Sequence, residues 1–376
     1  MTDVRFLSYS KMTGFGTTEL RCQQPADFLY EAGWSTAASR LDRAFPAARQ
    51  ALVLHRIRNS PLSRSIVAYA RAHGVPIIYD IDDLIGEDDP FTFASSIRAM
   101  MEAADLVTVS TRVLKAKVDE FHPNAIVMRN GLSHRFLEIA AENRLAPRTP
   151  GSVKVGYFSG SATHDEDFAI VAPHLARLLH ERPHVTLVIG GKINIPDALV
   201  RFGERVHLEP FRPYAEFIAL LGTVDVNLAP LDLTAPLNTA KSEIKVTEAA
   251  AFAVPTVASP MAAYRDVIDD GRTGMICEGP GWFDALVALV DDAALRRRMG
   301  EAVRRDVLAA YGPDRCVAIW DDLIRQLPAV RHRRAYEVAP PAAGATIRLC
   351  GALTMEMARR SYRHWARRVV SPRRRG

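Results

Sequence analysis

The sequence predicts an α/β chain: two Rossmann-like, doubly wound domains facing each other across a cleft, followed by a basic C-terminal tail. Three observations predict it. Short apolar runs alternate with helical patterns along the chain, the signature of parallel strands covered on both faces. The alternation pauses at the Pro-, Arg- and Ser-containing stretch "ENRLAPRTPGS" (142–152) and then starts again. A chain of 376 residues also exceeds what one hydrophobic core usually serves.

In the first series the predicted strands are "VRFLSY", "ALVLHRI", "VPIIYDI", "LVTVS" and "AIVMRN", with helices at "QPADFLYEAG", "SRSIVAYARAHG" and "PFTFASSIRAMMEAA" between them. The second series has strands at "VKVGYFSG", "HVTLVIGG", "RVHLEPF", "VDVNLAPL", "VPTVAS" and "GMICEG". Its helices include "DFAIVAPHLARLLHERP", "PYAEFIALLG" and "EIKVTEAAAF", with two more after residue 281. The expected units are 1–149, rejoined by a helix at about 314–328, and 150–313, with 331–376 as linker and tail.

Composition narrows the function classes. Hydrophobic content of 48% and charged content of 24% are those of a folded protein. The net charge of +5 conceals an asymmetry: residues 331–376 carry +10 and residues 1–330 carry −5. A body of that sign lacks the basic face that nucleic-acid binding requires, so no nucleic-acid partner is expected. The four cysteines are scattered without a CxxC, which argues against a disulfide framework or zinc site and fits a reducing, cytoplasmic setting. The opening "MTDVRFLSYS" enters a strand pattern at once, so a secretory signal is not expected, and no apolar run approaches the ~20 residues that span a bilayer.

In doubly wound sheets, ligands bind outside the carboxyl ends of the strands, so the loops after strands carry the chemistry. In "SKMTGFGTTELR", Gly14 and Gly16 permit close backbone approach before a helix, although Glu19 breaks the G-x-G-x-x-G dinucleotide pattern. In "YDIDDLIGEDD", Asp80 and Asp82 form a D-x-D. Its readings are a divalent-ion site, a solvated acidic loop, or a carboxylate at the cleft that meets a substrate hydroxyl. "GYFSGSATHDEDF" offers Ser159, Gly160 and Ser161 for close approach, Thr163 or Asp165 as helix cap, and His164 beside it. In "NTAKSEIKVTEAAAFAVPTVAS", Ser242 reads as an N-cap, and the free N–H groups of 242–244 with Lys241 and Lys245 make a positive pocket suited to a diphosphate. The competing reading of Lys245 and Glu248 is a simple i,i+3 ion pair.

Together these loops carry a resemblance. The stretch from "VDVNLAPL" through "KSEIKVTEAAAFAVPTVASPMAAYRDVIDDGRTGMIC" is similar to the GT-B nucleotide-sugar glycosyltransferases of the retaining family called group 1. "MRNG" (128–131) resembles the close of that family's first domain. "YFSGSATHDEDF" resembles the donor-domain opening of a subgroup acting in bacterial cell-surface polysaccharide assembly. The resemblance implies that Glu248 accepts hydrogen bonds from the ribose hydroxyls, that Lys241 and Lys245 neutralise the departing diphosphate, and that Ser242, Glu243 and Ile244 present their N–H groups to the donor. It implies Arg212 at the base or phosphate pocket and Gly14 and Gly16 closing over the phosphates. It further implies retention of configuration, no required metal or other cofactor, and a departing phosphate that takes the acceptor proton. Asp82 falls near a cleft position of the family and is the residue expected to orient the acceptor.

Two departures stand out. Ala240 occupies the place of the family's first donor-site glutamate, eight positions before Glu248, and the family's Arg and Lys pair is not evident in "SGSATHD". The expected reaction is sugar transfer from a nucleoside diphosphate donor to a hydroxyl of a glycan or lipid-linked acceptor. A nucleotide-sugar epimerase and a non-catalytic donor-binding scaffold are the competing readings. In the tail, Leu349, Leu353, Met357 and Tyr362 or Trp365 share one helical side among arginines. Residues 347–375 read either as a helix on an anionic membrane surface, which would place the protein peripherally on the inner face of the cytoplasmic membrane, or as a solubilising or partner-docking segment.

Overall fold

The computed structural model describes residues 2–10, 16–41, 48–86, 92–143, 151–159, 165–191, 193–210, 212 and 214–333. Two six-stranded parallel sheets form, one from each series. The first has the order β2-β1-β3-β4-β5-β6, with β1 (Thr2–Ser8), β2 (Thr36–Arg40), β3 (Ala48–His55), β4 (Ile77–Ile81), β5 (Leu106–Val109) and β6 (Ala125–Val127). The second has the order β12-β11-β10-β7-β8-β9, with β7 (Val153–Ser159), β8 (Val185–Gly191), β9 (Val206–Glu209), β10 (Val226–Ala229), β11 (Thr256–Ala258) and β12 (Met275–Ile276). The chain reverses its winding between β1 and β3 in the first sheet and between β7 and β10 in the second. Those two crevices are where ligands of doubly wound sheets sit.

All eleven strands expected from apolar runs are present. The added one, β2, is an edge strand of sequence "TAASR", half-buried along its length, so it carries no apolar signature. Helices cover both faces of each sheet. The last helix, Pro313–Arg333, returns to the first sheet: Trp320, Leu323, Ile324 and Leu327 share an apolar cluster with Val4 and Phe6. The Phe6 and Trp320 rings meet edge to face at 5.7 Å.

The helix Ile244–Ala251 lies beneath the second crevice, and its small residues have a packing reason. Ala249, Ala250 and Ala251 are buried against the helix Ala293–Tyr311, where Gly300 lets the two backbones approach. A Cβ at Gly300 would stand 2.0 Å from the Ala253 carbonyl oxygen. The helix ends in a Schellman motif: Val254 N–H donates to the Ala249 carbonyl (3.2 Å) and Ala253 N–H to that of Ala250 (2.9 Å). Ala253 therefore occupies the left-handed position, φ 59°, that glycine usually fills.

Opposite effects are expected from the two small residues at this contact. Ala253→Gly should stabilise by about 0.5–1 kcal/mol, because relief of left-handed strain exceeds the added freedom of the unfolded chain. Gly300→Ala should cost about 2–3 kcal/mol by overpacking against backbone. Urea unfolding of both variants checks the pair.

Candidate active site

The second crevice is built from β7, β10 and the turns that follow them. Asp167, on the helix Asp165–Glu181, ties the β10 loop down: its Oδ1 accepts from the Asp232 N–H (2.8 Å) and from Asn238 Nδ2 (2.8 Å). A short 3-10 turn, Pro236–Ala240, then delivers Lys241 and the start of the helix Ile244–Ala251. Asn227 of β10 donates to the Lys245 carbonyl (3.1 Å) and fixes that helix on the sheet.

Lys245 points into this crevice. Its ammonium stands 4.4 Å from the centre of the Tyr157 ring, and Nζ is buried with no hydrogen-bond partner among the described residues. Burial lowers its pKa to about 8, against the pull of the Asp167 carboxylate. Glu248, one turn on, is half-buried, and burial raises its pKa to about 8, Lys245 drawing it back only in part. The expected alternative, an i,i+3 ion pair, does not form, because the Lys245 ammonium turns to the Tyr157 face instead. A buried ammonium without a hydrogen-bonded counter-ion among the described residues, beside a carboxyl held partly protonated, is an arrangement suited to a ligand that brings negative charge and hydroxyl donors.

Ser242 is not the N-cap. Glu243 holds that position without a side-chain cap bond, and Ser242 Oγ instead accepts from Asn130 Nδ2 of the first unit (3.0 Å). Glu243 is buried, and its Oε1 accepts from Arg129 Nη1 (2.7 Å) and from the Tyr311 hydroxyl (2.8 Å). Arg129 also reaches Asp266, and Thr111 Oγ1 donates to the Ala240 carbonyl (3.3 Å). Thus "MRNG" closes the first domain and, through Arg129 and Asn130, grips the start of the lysine-bearing helix. The N–H groups of 242–244 lie at that helix start, where intrahelical acceptors are lacking.

The D-x-D separates into two roles. Asp80, on β4, is fully buried, and Arg21 grips it side-on, Nε at 3.0 Å from Oδ2 and Nη2 on Oδ1. Thr108 and His55 complete its shell at 2.6 and 2.9 Å. The readings of Asp80 as a metal ligand or part of a solvated loop are corrected: its oxygens are taken by a guanidinium, a hydroxyl and an imidazole. Burial alone would raise its carboxyl, but the Arg21 charge and the His55 contact hold it well below the usual range. Asp82, also mostly buried, is held by Arg56 Nε (2.5 Å). Both aspartates fall on one side because strand side chains alternate with period two.

Arg212 is engaged by its own neighbourhood, with Nη2 on Glu209 (2.5 Å) and Nη1 3.9 Å from Glu216. Ser159 is buried at the end of β7. Gly16 adopts φ 75°, and a Cβ there would meet nothing within 4 Å, so the turn's left-handed backbone is what requires glycine. Gly14, Gly160, Ser161, Thr163, His164 and the segment 347–375 lie outside the described residues. Tyr157, Asp167, Arg129, Asn130, Arg21, His55 and Arg56 were not singled out from sequence. Position at strand ends was the available signal for His55, Arg56 and the "MRNG" pair.

Residues 153–292 match the model of the family "Glycosyl transferases group 1". A GDP-mannose-dependent alpha-mannosyltransferase of Mycolicibacterium smegmatis is 29% identical over 285 residues, 72% of this chain and 71% of that protein. Among solved structures, HepE of Anabaena in complex with UDP aligns with a TM-score of 0.60 at 14% identity, over 87% of this chain and all of that one. TarM of S. aureus, in complex with fondaparinux, alpha-GlcNAc-glycerol and UDP, aligns with a TM-score of 0.54 at 15% identity, over 73% of this chain. This chain spans about half of TarM, 55%. The architecture is that of the GT-B fold.

The titration of Glu248 carries a stability signature. Its folded value, about 8, lies above the ordinary 4.5, so between these the folded protein keeps a proton that the unfolded chain has lost. Stability should therefore fall as pH rises from about 5 to 8. Glu248→Gln should flatten that slope and stabilise the protein at pH 8 by about 1–3 kcal/mol, with little change at pH 5. Unfolding titrations at both pH values read this directly.

Proposed function

We propose that the chain is a group 1 glycosyltransferase that moves a sugar from a nucleoside diphosphate to a hydroxyl of a glycan or lipid-linked acceptor in bacterial surface polysaccharide or glycoconjugate assembly, with retention at the anomeric carbon. The observation that carries this reading is Lys245: a buried ammonium without a hydrogen-bond partner among the described residues, at the crevice between β7 and β10, beside Glu248. A diphosphate in that crevice supplies the missing counter-charge, and Lys241 and the N–H groups of 242–244 extend the positive field. Negative charge grows on the diphosphate as the sugar leaves, so these groups stabilise the transition state more than the bound donor. The phosphate oxygen that loses the sugar then takes the acceptor proton. Glu248 accepts from the ribose hydroxyls, and those donors favour its ionised form over the protonated one.

Donor-site roles are proposed on the same footing for Ser159 and for Gly160, Ser161, Thr163 and His164, which follow it in sequence. Arg212 is the candidate for the base, provided it exchanges its Glu209 partner for the ligand. Gly14 and Gly16 are proposed to let the first domain close over the phosphates. The domain limits proposed are 1–149 with 314–328, and 150–313. The arginine-rich segment 347–375 favours a peripheral position on the inner face of the cytoplasmic membrane. The name of the M. smegmatis relative makes GDP-mannose the first donor to test, and a HepE complex with UDP-glucose makes UDP-glucose the second.

Thermal-shift measurements with UDP, GDP, dTDP and CMP and their sugars test the donor site. One nucleoside diphosphate should stabilise the native state, by about 2.7 kcal/mol at a hundredfold excess over Kd. Glu248→Ala and Lys245→Ala should each remove the shift. Stabilisation by none of the nucleotides would overturn the donor assignment.

A further inference from the structure

Lys245 and Glu248 stand three residues apart on the helix Ile244–Ala251, a spacing at which helical side chains can meet. The ammonium nevertheless lies over the Tyr157 ring, 4.4 Å from its centre. An ion pair between the two would occupy both groups, and each would have to be freed again before it could serve a ligand.

Tyr157 is fixed by its neighbours. It is fully buried in the middle of the second sheet, where β7 carries it between Ile189 of β8 and Leu228 of β10. The Phe168 ring, also fully buried, lies against it with centres 4.8 Å apart and planes at 33°. Its hydroxyl hydrogen-bonds with Ser159, which leaves the electron-rich ring face to the ammonium. Phe168 belongs to the helix Asp165–Glu181, next to Asp167, whose Oδ1 fastens the β10 loop by two hydrogen bonds of 2.8 Å. One helix thus backs the ring and secures the loop that leads to Lys245.

A ring and a carboxylate hold a cation differently. The aromatic quadrupole attracts an ammonium most strongly where water is excluded, yet it carries no net charge. An arriving anion therefore meets the full lysine charge without first breaking an ion pair. Glu248, spared the same pairing, keeps its carboxylate for hydroxyl donors. We infer that Tyr157 is a positioning residue of the donor site: its ring face holds the Lys245 ammonium away from Glu248, so that one group meets a diphosphate and the other a diol. The inference rests on the donor reading above and names the residue that keeps that site ready.

The test compares Tyr157→Phe, which keeps the ring, with Tyr157→Leu, which removes it, both in the full chain. The nucleoside diphosphate picked by the thermal-shift screen should bind the phenylalanine variant within about twofold of the wild-type Kd and the leucine variant about tenfold or more weakly. A second measurement needs no ligand. The charged groups acting on Lys245 are Asp167, Lys241 and Glu248, and Lys245 is the charge acting on Glu248. Once the ring is gone, the ammonium pairs with ionised Glu248 and the carboxyl loses its raised proton affinity. The fall in stability between pH 5 and 8 should then flatten by about half or more in the leucine variant.

A leucine variant that binds as the wild type does overturns the inference. So does a phenylalanine variant as weak as the leucine one, which would assign the role to the hydroxyl. A leucine variant that binds weakly but keeps the wild-type pH slope also overturns it, because the ring would then act by packing alone. A wild type that binds no nucleoside diphosphate removes the donor reading, and the pH slope then decides whether the ring separates the two groups. Should Tyr157→Leu fail to fold, Tyr157→Met removes the ring with a longer side chain in its place and is judged by the same two measurements.

Discussion

Arg21 and Asp80 are both removed from solvent, and each is tolerable there only because the other is present. The fork between them joins the helical segment Glu19–Gln23 to the end of β4, and Arg21 Nη1 extends it to the Met128 carbonyl (2.5 Å) and Asn130 Oδ1 (3.2 Å). Loss of one member of such a pair costs about 3–5 kcal/mol, because the other is left as an unpaired buried charge. From Asn130 the hydrogen bonds continue to Ser242, at the head of the helix that carries Lys245 and Glu248. A single polar line therefore runs from the first sheet to the crevice between β7 and β10 of the second, the proposed donor site. Beside it, Arg129, Glu243 and Tyr311 form a parallel grip on the same helix start.

That helix is fixed at both ends, which permits an unfavourable middle. Asn130 and Arg129 hold its head, and the Ala253 turn and Gly300 contact hold its tail. Between them stand an ammonium with no hydrogen-bond partner among the described residues and a carboxyl raised by burial. Neither group helps the protein fold. The proposed donor gives both a purpose, its diphosphate answering the ammonium and its ribose hydroxyls the carboxyl, at a local cost in stability.

The sheets were legible because their strands are continuous apolar runs, and the second-domain order of elements followed directly from "VKVGYFSG" to "GMICEG". β2 was not, since an edge strand of Thr, Ala and Ser has no inward face to mark it. Lys241, Lys245 and Glu248 were singled out by a helix start rich in charge where core was expected, and their donor role stands as a proposal. Ser242 misled because its sequence context is that of a cap, whereas Asn130, 112 residues upstream, claims its hydroxyl. The D-x-D misled for a related reason: the partner that internalises Asp80 is Arg21, 59 residues away, and nothing local announces it. Arg56, with φ 51°, shows the limit most clearly, since a positive φ leaves no trace in composition unless glycine or asparagine occupies the site.

The measurement that bears most directly on the line from Arg21 to the donor crevice is the Kd of the bound nucleoside diphosphate for Asn130→Ala. Asn130 donates to Ser242 and belongs to the first unit, so its effect on a donor pocket in the second can only pass through the helix start. The expected result is a Kd weakened about tenfold, the scale of coupling between residues in one hydrogen-bonded network. A Kd equal to that of the wild type, in a folded variant, would contradict it and leave the donor helix positioned by its own domain alone.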